Sequence, residues 1–510
     1  MLSKAVIGEL RKAVGAEQFT DDPADLALYA FDATQTEVLP DCVVFPTTVE
    51  RIAAVMRVAY AEGIPVVPRG AGSGLSGGAV PAHGGVVMSL AKMNRVIEVD
   101  PANLTCRAEA GCVTGVLADA AAARGLYYPP DPSSLRFCTI GGNVAHNAGG
   151  LHALKYGVTK NYLIGTTSVL TTGEVLKTGV RTMKGVVGYD LTKLLCGSEG
   201  TLAVVAEVTV KLIPQPKHRA VAVAAFPSTK AAGEAVSAVI AARVLPAMLE
   251  FMDNTALRCV DDYLKVGFPL DAGGLLLAEI AGRPSGVRAE LDDAVAIMKR
   301  CGATGVTFAD DPEGCERLWE ARRAVAPSLG KVSPRRVSED ITVPRAAIPA
   351  ALERIAAIGA KHALPSAVFG HAGDGNLHVN FLVDGRDPQI APRLTVAIED
   401  VLGLALELGG TISGEHGIGL AKRKYIGMEI GPEGIRVLRA IKQSFDPQNI
   451  LNPGKILPDP AAADGNNPDG NTVALSGRPD VVRELPSGPG EGPKPQPVPS
   501  PKGRRDPADG

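Results

Sequence analysis

The stretch "PVVPRGAGSGLSGGAVP", residues 65–81, decides the fold. Its Gly72-x-Gly74-x-x-Gly77 has the spacing of the Rossmann fingerprint, in which a helix begins directly after the glycines and carries a pyrophosphate on its N-terminus. The helix is the test. After Gly78 the chain reads Ala-Val-Pro-Ala-His-Gly-Gly and then "VVMSL", a β-branched run bounded by turn residues, which reads as a strand. A glycine-rich loop between two strands still exposes a row of backbone N–H groups, and such a nest cradles a pyrophosphate without a helix dipole. The expectation is a dinucleotide site in a fold that is not the Rossmann fold.

The rest of the chain narrows the class. Its 510 residues, 45% hydrophobic and 21% charged with a net charge of −3, suit a globular protein of several domains. No basic block interleaved with aromatic residues points to nucleic acid, and no window reaches the ~18 apolar residues of a membrane span. The N-terminal stretch "MLSKAVIGELRKAVGAEQF" breaks every apolar run with polar residues, unlike a signal peptide, and reads as a short surface helix. The eight cysteines form no C-x-x-C pair, which suggests buried thiols in a reducing, cytoplasmic setting and no iron–sulfur wire within the chain.

Thr47-x-x-Glu50 reads as a capping box opening a helix over 47–62. Short strands and glycine turns follow to about residue 215: an α+β domain spanning 1–216 and ending at "LIPQP". From 217 to 440 strands alternate with helices, which suits a ferredoxin-like antiparallel sheet with helices on one face. Long helices are expected near 346–362 and 391–408, and "FDPQNILNPGKIL" (445–457) ends the ordered part. The Pro-, Gly- and Asp-rich remainder, 458–510, is expected to be disordered, with "VALSGRPDVVREL" as a candidate docking stretch within it.

Three constellations carry chemistry. "PPDPSSLRFCTIGGNVAHNAGGLHALKYG" (129–157) interleaves small hydroxyl and amide side chains with Gly141, Gly142, Gly149 and Gly150, so that a ligand can touch backbone directly, and "GSEGTLAVVAEV" (197–208) adds a third glycine cluster. In the distal half, "FGHAGDGNLHVNF" (369–381) places His371 and His378 seven apart. A tight turn at Gly373-Asp374-Gly375-Asn376 would fold the two arms together and aim both imidazoles at one point. Two imidazoles and a carboxylate suit a divalent metal with open positions. Glu415 of "TISGEHGIG" is the preferred carboxylate and Asp374 the alternative, while His416 is left free as a base. Arg322 and Arg323, on an expected helix, offer guanidinium groups for a carboxylate, or are solvated helix charges. Trp319 is read as core.

Together, "PVVPRGAGSGLSGGAVP", "DPSSLRFCTIGGNVAHNAGGLHALKYG", "GSEGTLAVVAEVTVKL", "FGHAGDGNLHVNF", "SGEHGIG" and "FDPQNILNPGKIL" resemble the FAD-linked D-2-hydroxy-acid dehydrogenases of the vanillyl-alcohol-oxidase superfamily, the bacterial D-lactate dehydrogenases and the flavoprotein subunit of glycolate oxidase in particular. The resemblance covers about residues 20–457. It implies an FAD-binding domain of two α+β subdomains and a cap carrying substrate contacts. By it, Pro68, Arg69, Gly70, Ala71, Gly72, Ser73, Gly74, Leu75, Ser76 and Gly77 wrap the FAD pyrophosphate. Pro130, Asp131, Pro132, Ser133, Thr139, Gly141, Gly142, Ala145, Asn147, Gly149 and Gly150, with Gly197, Glu199, Gly200, Thr201 and Val208, hold the rest of the flavin. Residues 441–457 return to the flavin domain and bring Asn452 near the ring. His371, His378 and Glu415 match ligands of zinc, with iron or manganese as alternatives; His416 matches the base and Arg322 a substrate-carboxylate arginine.

The implied reaction is oxidation of a small D-2-hydroxy acid, D-lactate or glycolate, to the 2-oxo acid. Electrons would leave through an iron–sulfur protein, an electron-transfer flavoprotein or a quinone, with the chain cytoplasmic or peripheral to the inner membrane through its partner. The first loop has no histidine to tether a flavin, so FAD is expected to be noncovalent. "RRVSEDITVP" lacks the lysine of hydroxyglutarate-type enzymes, which makes a D-2-hydroxyglutarate dehydrogenase the second reading. A metal-dependent hydrolase is the rival from another class, and it leaves the glycine clusters unexplained.

Overall fold

The computed structural model describes residues 2–458 apart from 35, 183 and 266; the expected tail, and with it "VALSGRPDVVREL", lies outside the described residues. The glycine loop runs from the strand Val66–Arg69 to the strand Val86–Ser89, which are parallel neighbours, with turns and no helix between them. They belong to a four-stranded sheet with Cys42–Val44 and Phe19–Thr20. A second, antiparallel sheet follows in the order 96–100, 105–109, 204–211, 163–169, 175–179. One apolar cluster joins the two sheets, with Val66, Val86 and Met88 from the first and Cys106, Val204 and Val208 from the second. The N-terminal helix Lys4–Val14 is not a free surface helix, because its Leu10 and Val14 are buried in this cluster.

The helix expected over 47–62 is Val49–Glu62, capped by Thr48 and not by Thr47. Thr48 has the extended backbone of an N-cap and its side chain accepts from Arg51 N, three residues on. Two adjacent threonines fit a cap signal in two registers, and the downstream glutamate favoured the wrong one. At the other end Gly63 adopts φ +63°, the left-handed C-cap.

The distal sheet has seven strands. Four of them, in the order 305–309, 218–226, 274–282, 248–253, make the ferredoxin-like arrangement, and the strands 366–371, 376–381 and 337–342 extend it. Helices cover both faces, which corrects the one-face expectation. Thr229–Ala241, Ile348–Lys361 and Ala391–Glu407 pack one side, with Val236, Leu352 and Val401 buried. Asn254–Leu264, Pro312–Arg323 and Val325–Val332 pack the other through Leu257, Trp319 and Leu329. The reason is legible in "GLLLAEIAG": a strand buried along nearly its whole length on both faces needs two covering layers.

The C-terminal segment returns to the first sheet. Val66 N donates to Ile450 O (2.8 Å) and Asn452 N to Val66 O (2.7 Å), so that Leu451 lies parallel beside Val66. Among the described residues no helix is long and apolar enough to cross a membrane.

Candidate active site

Register builds the distal site. The strands Ser366–His371 and Asn376–Phe381 form the expected hairpin, with Phe369 opposite His378 and His371 opposite Asn376. The strand Val337–Thr342 pairs on the other side and sets Asp340 opposite His378 and Ser338 opposite Asn380. Paired residues share a face of the sheet. The face that carries Phe369, His378, Asp340 and Asn380 is therefore where the loop 411–419 must deliver Glu415 and His416.

Asp340 holds that loop. Its buried carboxylate accepts from Gly414 N and Glu415 N (2.7 Å each) and from His416 N (3.2 Å), so three consecutive backbone N–H groups converge on one side chain. A Cβ on Gly414 would collide with the side chains of Asn376 and Thr342, which explains the glycine. Lys422 Nζ donates to Asp340 Oδ1 (2.8 Å), and His416 Nδ1 lies 3.4 Å from the same oxygen. Burial disfavours the charge on Asp340, but His416, Lys422 and the Glu415 N–H hold its carboxyl well below the usual range.

The result is a cluster in which one ligand atom from each of His371, His378 and Glu415 lies within 4.8 Å of the others. His371 Nε2 and His378 Nε2 lie 3.3 and 3.5 Å from Glu415 Oε1. On its far side His371 Nδ1 meets both oxygens of Glu250 (2.8 and 3.0 Å), a carboxylate that fixes the ring and leaves Nε2 for the cluster. Burial pushes His378 down to about 3, in the neutral form a metal needs, and its Nδ1 has no hydrogen-bond partner. Burial opposes ionisation of Glu415 too, yet His371 and the other imidazoles lower it to about 2. These three residues fit a divalent ion. Asp374, the alternative ligand, accepts from Asn376 N (3.2 Å) within the turn.

A cavity of about 1330 Å³ connects this cluster to the glycine loop. Residues 68–75 line it, with Asp131, Pro132, Ser133, Thr139, Gly141, Gly142, Ala145 and Gly200 of the other clusters; His378, Glu415, His416 and Arg322 line its far end. A Cβ on Gly70 would collide with Thr139 Oγ1, so the first two clusters approach at backbone distance. His146, also in the wall, has a buried Nδ1 without a partner. An elongated cradle of glycines and small polar side chains with an unpaired donor or acceptor fits FAD.

Several expected cofactor residues take other positions. Val208 is in the core of the second sheet, because alternation along 204–211 turns it away from the cavity. Ser76, Gly77, Pro130, Asn147, Gly149, Gly150, Gly197, Thr201 and Asn452 are not among the residues that line the cavity. Ser76 O accepts from Leu420 N (2.8 Å) and Ala421 N (3.1 Å), and Asn452 Nδ2 donates to Gly78 O and Glu199 O, which braces the wall. Glu199 lines the cavity, but its carboxylate accepts from Ile418 N and Gly419 N (2.7 Å each) and thus ties the third glycine cluster to the histidine loop. Arg322 is buried on the sheet with Nε and Nη2 on Glu250 (2.9 and 2.6 Å). Trp319, one turn before it, is core as expected and donates to Glu279 (2.9 Å).

Sequence reasoning missed Glu250, Asp340, Asn380 and Arg336. The signal for Glu250 and Glu279 was present in "MLEFMD" and "LLLAEIAG", where a lone glutamate interrupts a buried apolar strand and must find a partner. It also missed His152, which binds Asp131 (Nδ1 to Oδ2, 2.6 Å) and faces Glu279 (Nε2 to Oε1, 3.7 Å). Burial disfavours its charge, but Asp131 and Glu279 raise it to about 10. The folded state therefore binds the proton more tightly than the unfolded chain. That stabilisation is complete below the unfolded value of about 6.5 and is lost as pH rises through about 10. Chemical denaturation at pH 6.5 and pH 10 should show a loss on the order of a few kcal/mol for the wild type beyond that for His152→Gln.

Comparison with known proteins agrees with this geometry. Residues 40–179 match the family of the FAD binding domain and residues 215–456 that of the FAD linked oxidases, C-terminal domain. The chain is 42% identical over 458 residues to glycolate oxidase subunit GlcD of Bacillus subtilis (strain 168), covering 90% of this chain and 97% of that protein. It is 36% identical over 448 residues to D-lactate dehydrogenase of Anaerostipes hadrus, covering 86% and 92%. Among solved structures, p-cresol methylhydroxylase superposes with a TM-score of 0.72 at 17% identity, over 89% of this chain and 96% of that one. Alkyldihydroxyacetonephosphate synthase does so with 0.68 at 20%, over 89% and 86%. The chain belongs to the FAD-linked oxidases of the vanillyl-alcohol-oxidase superfamily and is an FAD-linked oxidoreductase.

Proposed function

We propose that this protein oxidises a small D-2-hydroxy acid, D-lactate or glycolate, to the 2-oxo acid and passes the electrons to a partner protein or quinone. The observation that carries the reading is a cavity lined by the glycine cradle and by His378, Glu415 and His416, with His371 buried beside His378 and Glu415. The printed names of the similar proteins, glycolate oxidase subunit and D-lactate dehydrogenase, support the substrate class. We read residues 1–216 as the FAD-binding domain, 217–440 as the cap and 441–457 as the returning segment.

In this reading the glycine loop and the 130–142 stretch bind FAD noncovalently, and His371, His378 and Glu415 bind a divalent ion, zinc by preference. When bound, FAD supplies a hydride acceptor and the ion a charge that acidifies the substrate hydroxyl. His416 takes the hydroxyl proton. Its Nδ1 faces Asp340 (3.4 Å), which leaves Nε2 as the accepting nitrogen and stabilises the imidazolium that forms. Its ring stacks on His378 at 5.2 Å with 10° between planes, which fixes its height over the cluster. Glu250 orients His371, and Arg322 orients Glu250. An iron–sulfur protein, an electron-transfer flavoprotein or a quinone is the proposed acceptor, since the chain has no C-x-x-C pair of the kind that holds a cluster.

Elemental analysis tests the metal assignment. The wild type should carry about one divalent ion per chain, and His378→Ala should lose it with flavin content unchanged. Equal metal in both proteins would overturn the assignment.

A further inference from the structure

Resting on the reading that electrons leave to a partner, we infer that the acceptor is a protein with an acidic face and that it docks on the loop 184–190 and the lysines at the start of the strand Leu163–Val169. The loop turns apolar side chains straight into solvent: Val186 and Val187 are 96% and 101% exposed and Tyr189 is 95% exposed. Cations surround it. Over residues 160–193 Lys160, Lys177, Arg181, Lys184 and Lys193 stand against only Glu174 and Asp190, in a chain whose net charge is −3. Val180 N donates to Ile164 O (3.1 Å) and Lys193 Nζ to Leu163 O (2.6 Å), which brings the loop and the lysines together at the start of that strand. Lys211 lies over the Tyr162 ring at the same place (5.0 Å). A few exposed apolar side chains inside a basic rim suit a small, charge-steered and transient contact with an acidic protein, the kind that electron carriers make.

Position supports the assignment, because this face backs onto the cavity. Tyr128 lines the cavity, and its ring meets that of Tyr162 edge-on (5.9 Å between centroids, 77° between planes), the ring under Lys211. Lys160 N donates to Asn147 Oδ1 (2.8 Å) and Thr159 Oγ1 to Ala148 O (2.8 Å). The short helix Thr159–Tyr162 is thus bonded to the segment whose Ala145, His146 and Ala148 line the cavity. Electron tunnelling falls off exponentially with distance, so a thin, packed wall is where electrons leave most readily. A quinone would need an open apolar slot through that wall, but Thr159 and Tyr162 are buried beneath the lysines and close it. A protein that brings its own redox group to the surface fits. Each hydroxy acid oxidised yields two electrons, which pass one at a time to two one-electron acceptors while the protons go to solvent.

The probe for the test is cytochrome c, basic as it stands and acidic once its lysines are succinylated, so that one haem is presented with either sign of surface charge. The flavin of the holoenzyme is reduced photochemically, without a hydroxy acid. At low ionic strength the succinylated form should be reduced about ten-fold faster than the native one, and salt should erase most of the difference. Lys160→Glu combined with Lys184→Glu should slow the succinylated form by about ten-fold, while benzoquinone, small and neutral, oxidises variant and wild type at one rate. Lys299→Glu combined with Arg300→Glu makes the same charge change on the exposed end of the helix Pro284–Arg300 and should leave the rate nearly unchanged. Binding gives a readout without electron transfer: oxidised succinylated cytochrome c, titrated into the oxidised holoenzyme, should bind about ten-fold more weakly to the Lys160→Glu, Lys184→Glu variant. Val186→Ser combined with Val187→Ser should also weaken binding, and salt should not alter that loss. A preference for native cytochrome c, unchanged rate and binding in the Lys160→Glu, Lys184→Glu variant, or an equal loss in the Lys299→Glu, Arg300→Glu variant would overturn the inference. So would a wild type that reduces benzoquinone but neither cytochrome, which would assign the acceptor to the quinones. Failure of D-lactate and glycolate to reduce the flavin would instead count against the proposed function, and the photoreduced protein would still decide the docking face.

Discussion

Replacing His416 by Asn should lower kcat on D-lactate by about 10²–10⁴-fold, the usual contribution of a general base, with flavin content, metal content and fold retained. The side chain lines the cavity and is stacked on His378, and its Nδ1 is already turned to Asp340, so the change removes one proton acceptor and little packing. In the proposed reaction this base acts on the hydroxyl in the transition state, so the loss should fall on kcat and kcat/KM together, with KM nearly constant. Steady-state kinetics with an artificial acceptor measures this. A variant that keeps more than a tenth of wild-type kcat would remove His416 from the reaction.

The second large effect is structural as well as catalytic. Asp340→Ala deletes the acceptor of three backbone N–H groups and leaves Lys422, itself buried, facing only Glu339 (3.4 Å) and two carbonyls. Breaking a buried, hydrogen-bonded ion pair from one side costs about 3–5 kcal/mol. The urea midpoint should fall accordingly, and Glu415 and His416 should lose their placement, so that activity and metal content fall with it. Asp340→Asn should unfold less readily but still lose activity, since its amide presents N–H groups to donors where only an acceptor fits. Unchanged stability in Asp340→Ala would contradict the role given to this carboxylate.

How much of this was legible in the chain depends on the range of the cause. The glycine loop between two strands and the 366–381 hairpin follow from local chemistry, a β-branched run after Gly85 and a Gly-Asp-Gly-Asn turn, and both are found, the two strands pairing parallel. The ferredoxin-like strand order was also within reach, because alternation of strands and helices restricts the topology. What was not legible is long-range commitment. Arg322 is read from the chain as a carboxylate-binding residue, and only the fold shows that it lines the cavity with its Nε on Glu250, 72 residues earlier. Arg336 stands beside Arg335 in an exposed-looking "SPRRV", and only the register of 337–342 against 376–381 carries it to the cavity wall. Val208 fell within a glycine-led segment that was read as one ligand-binding unit, whereas strand alternation hands its residues to different faces.

The most direct test of hydroxy-acid oxidation at a flavin and metal site is the visible spectrum of the purified protein under anaerobic conditions, before and after D-lactate and then glycolate, with and without a strong chelator. The expected result is a flavin band that bleaches with substrate and fails to bleach once the metal is removed. A colourless protein, or a flavin band indifferent to both acids in the metal-replete enzyme, would contradict it.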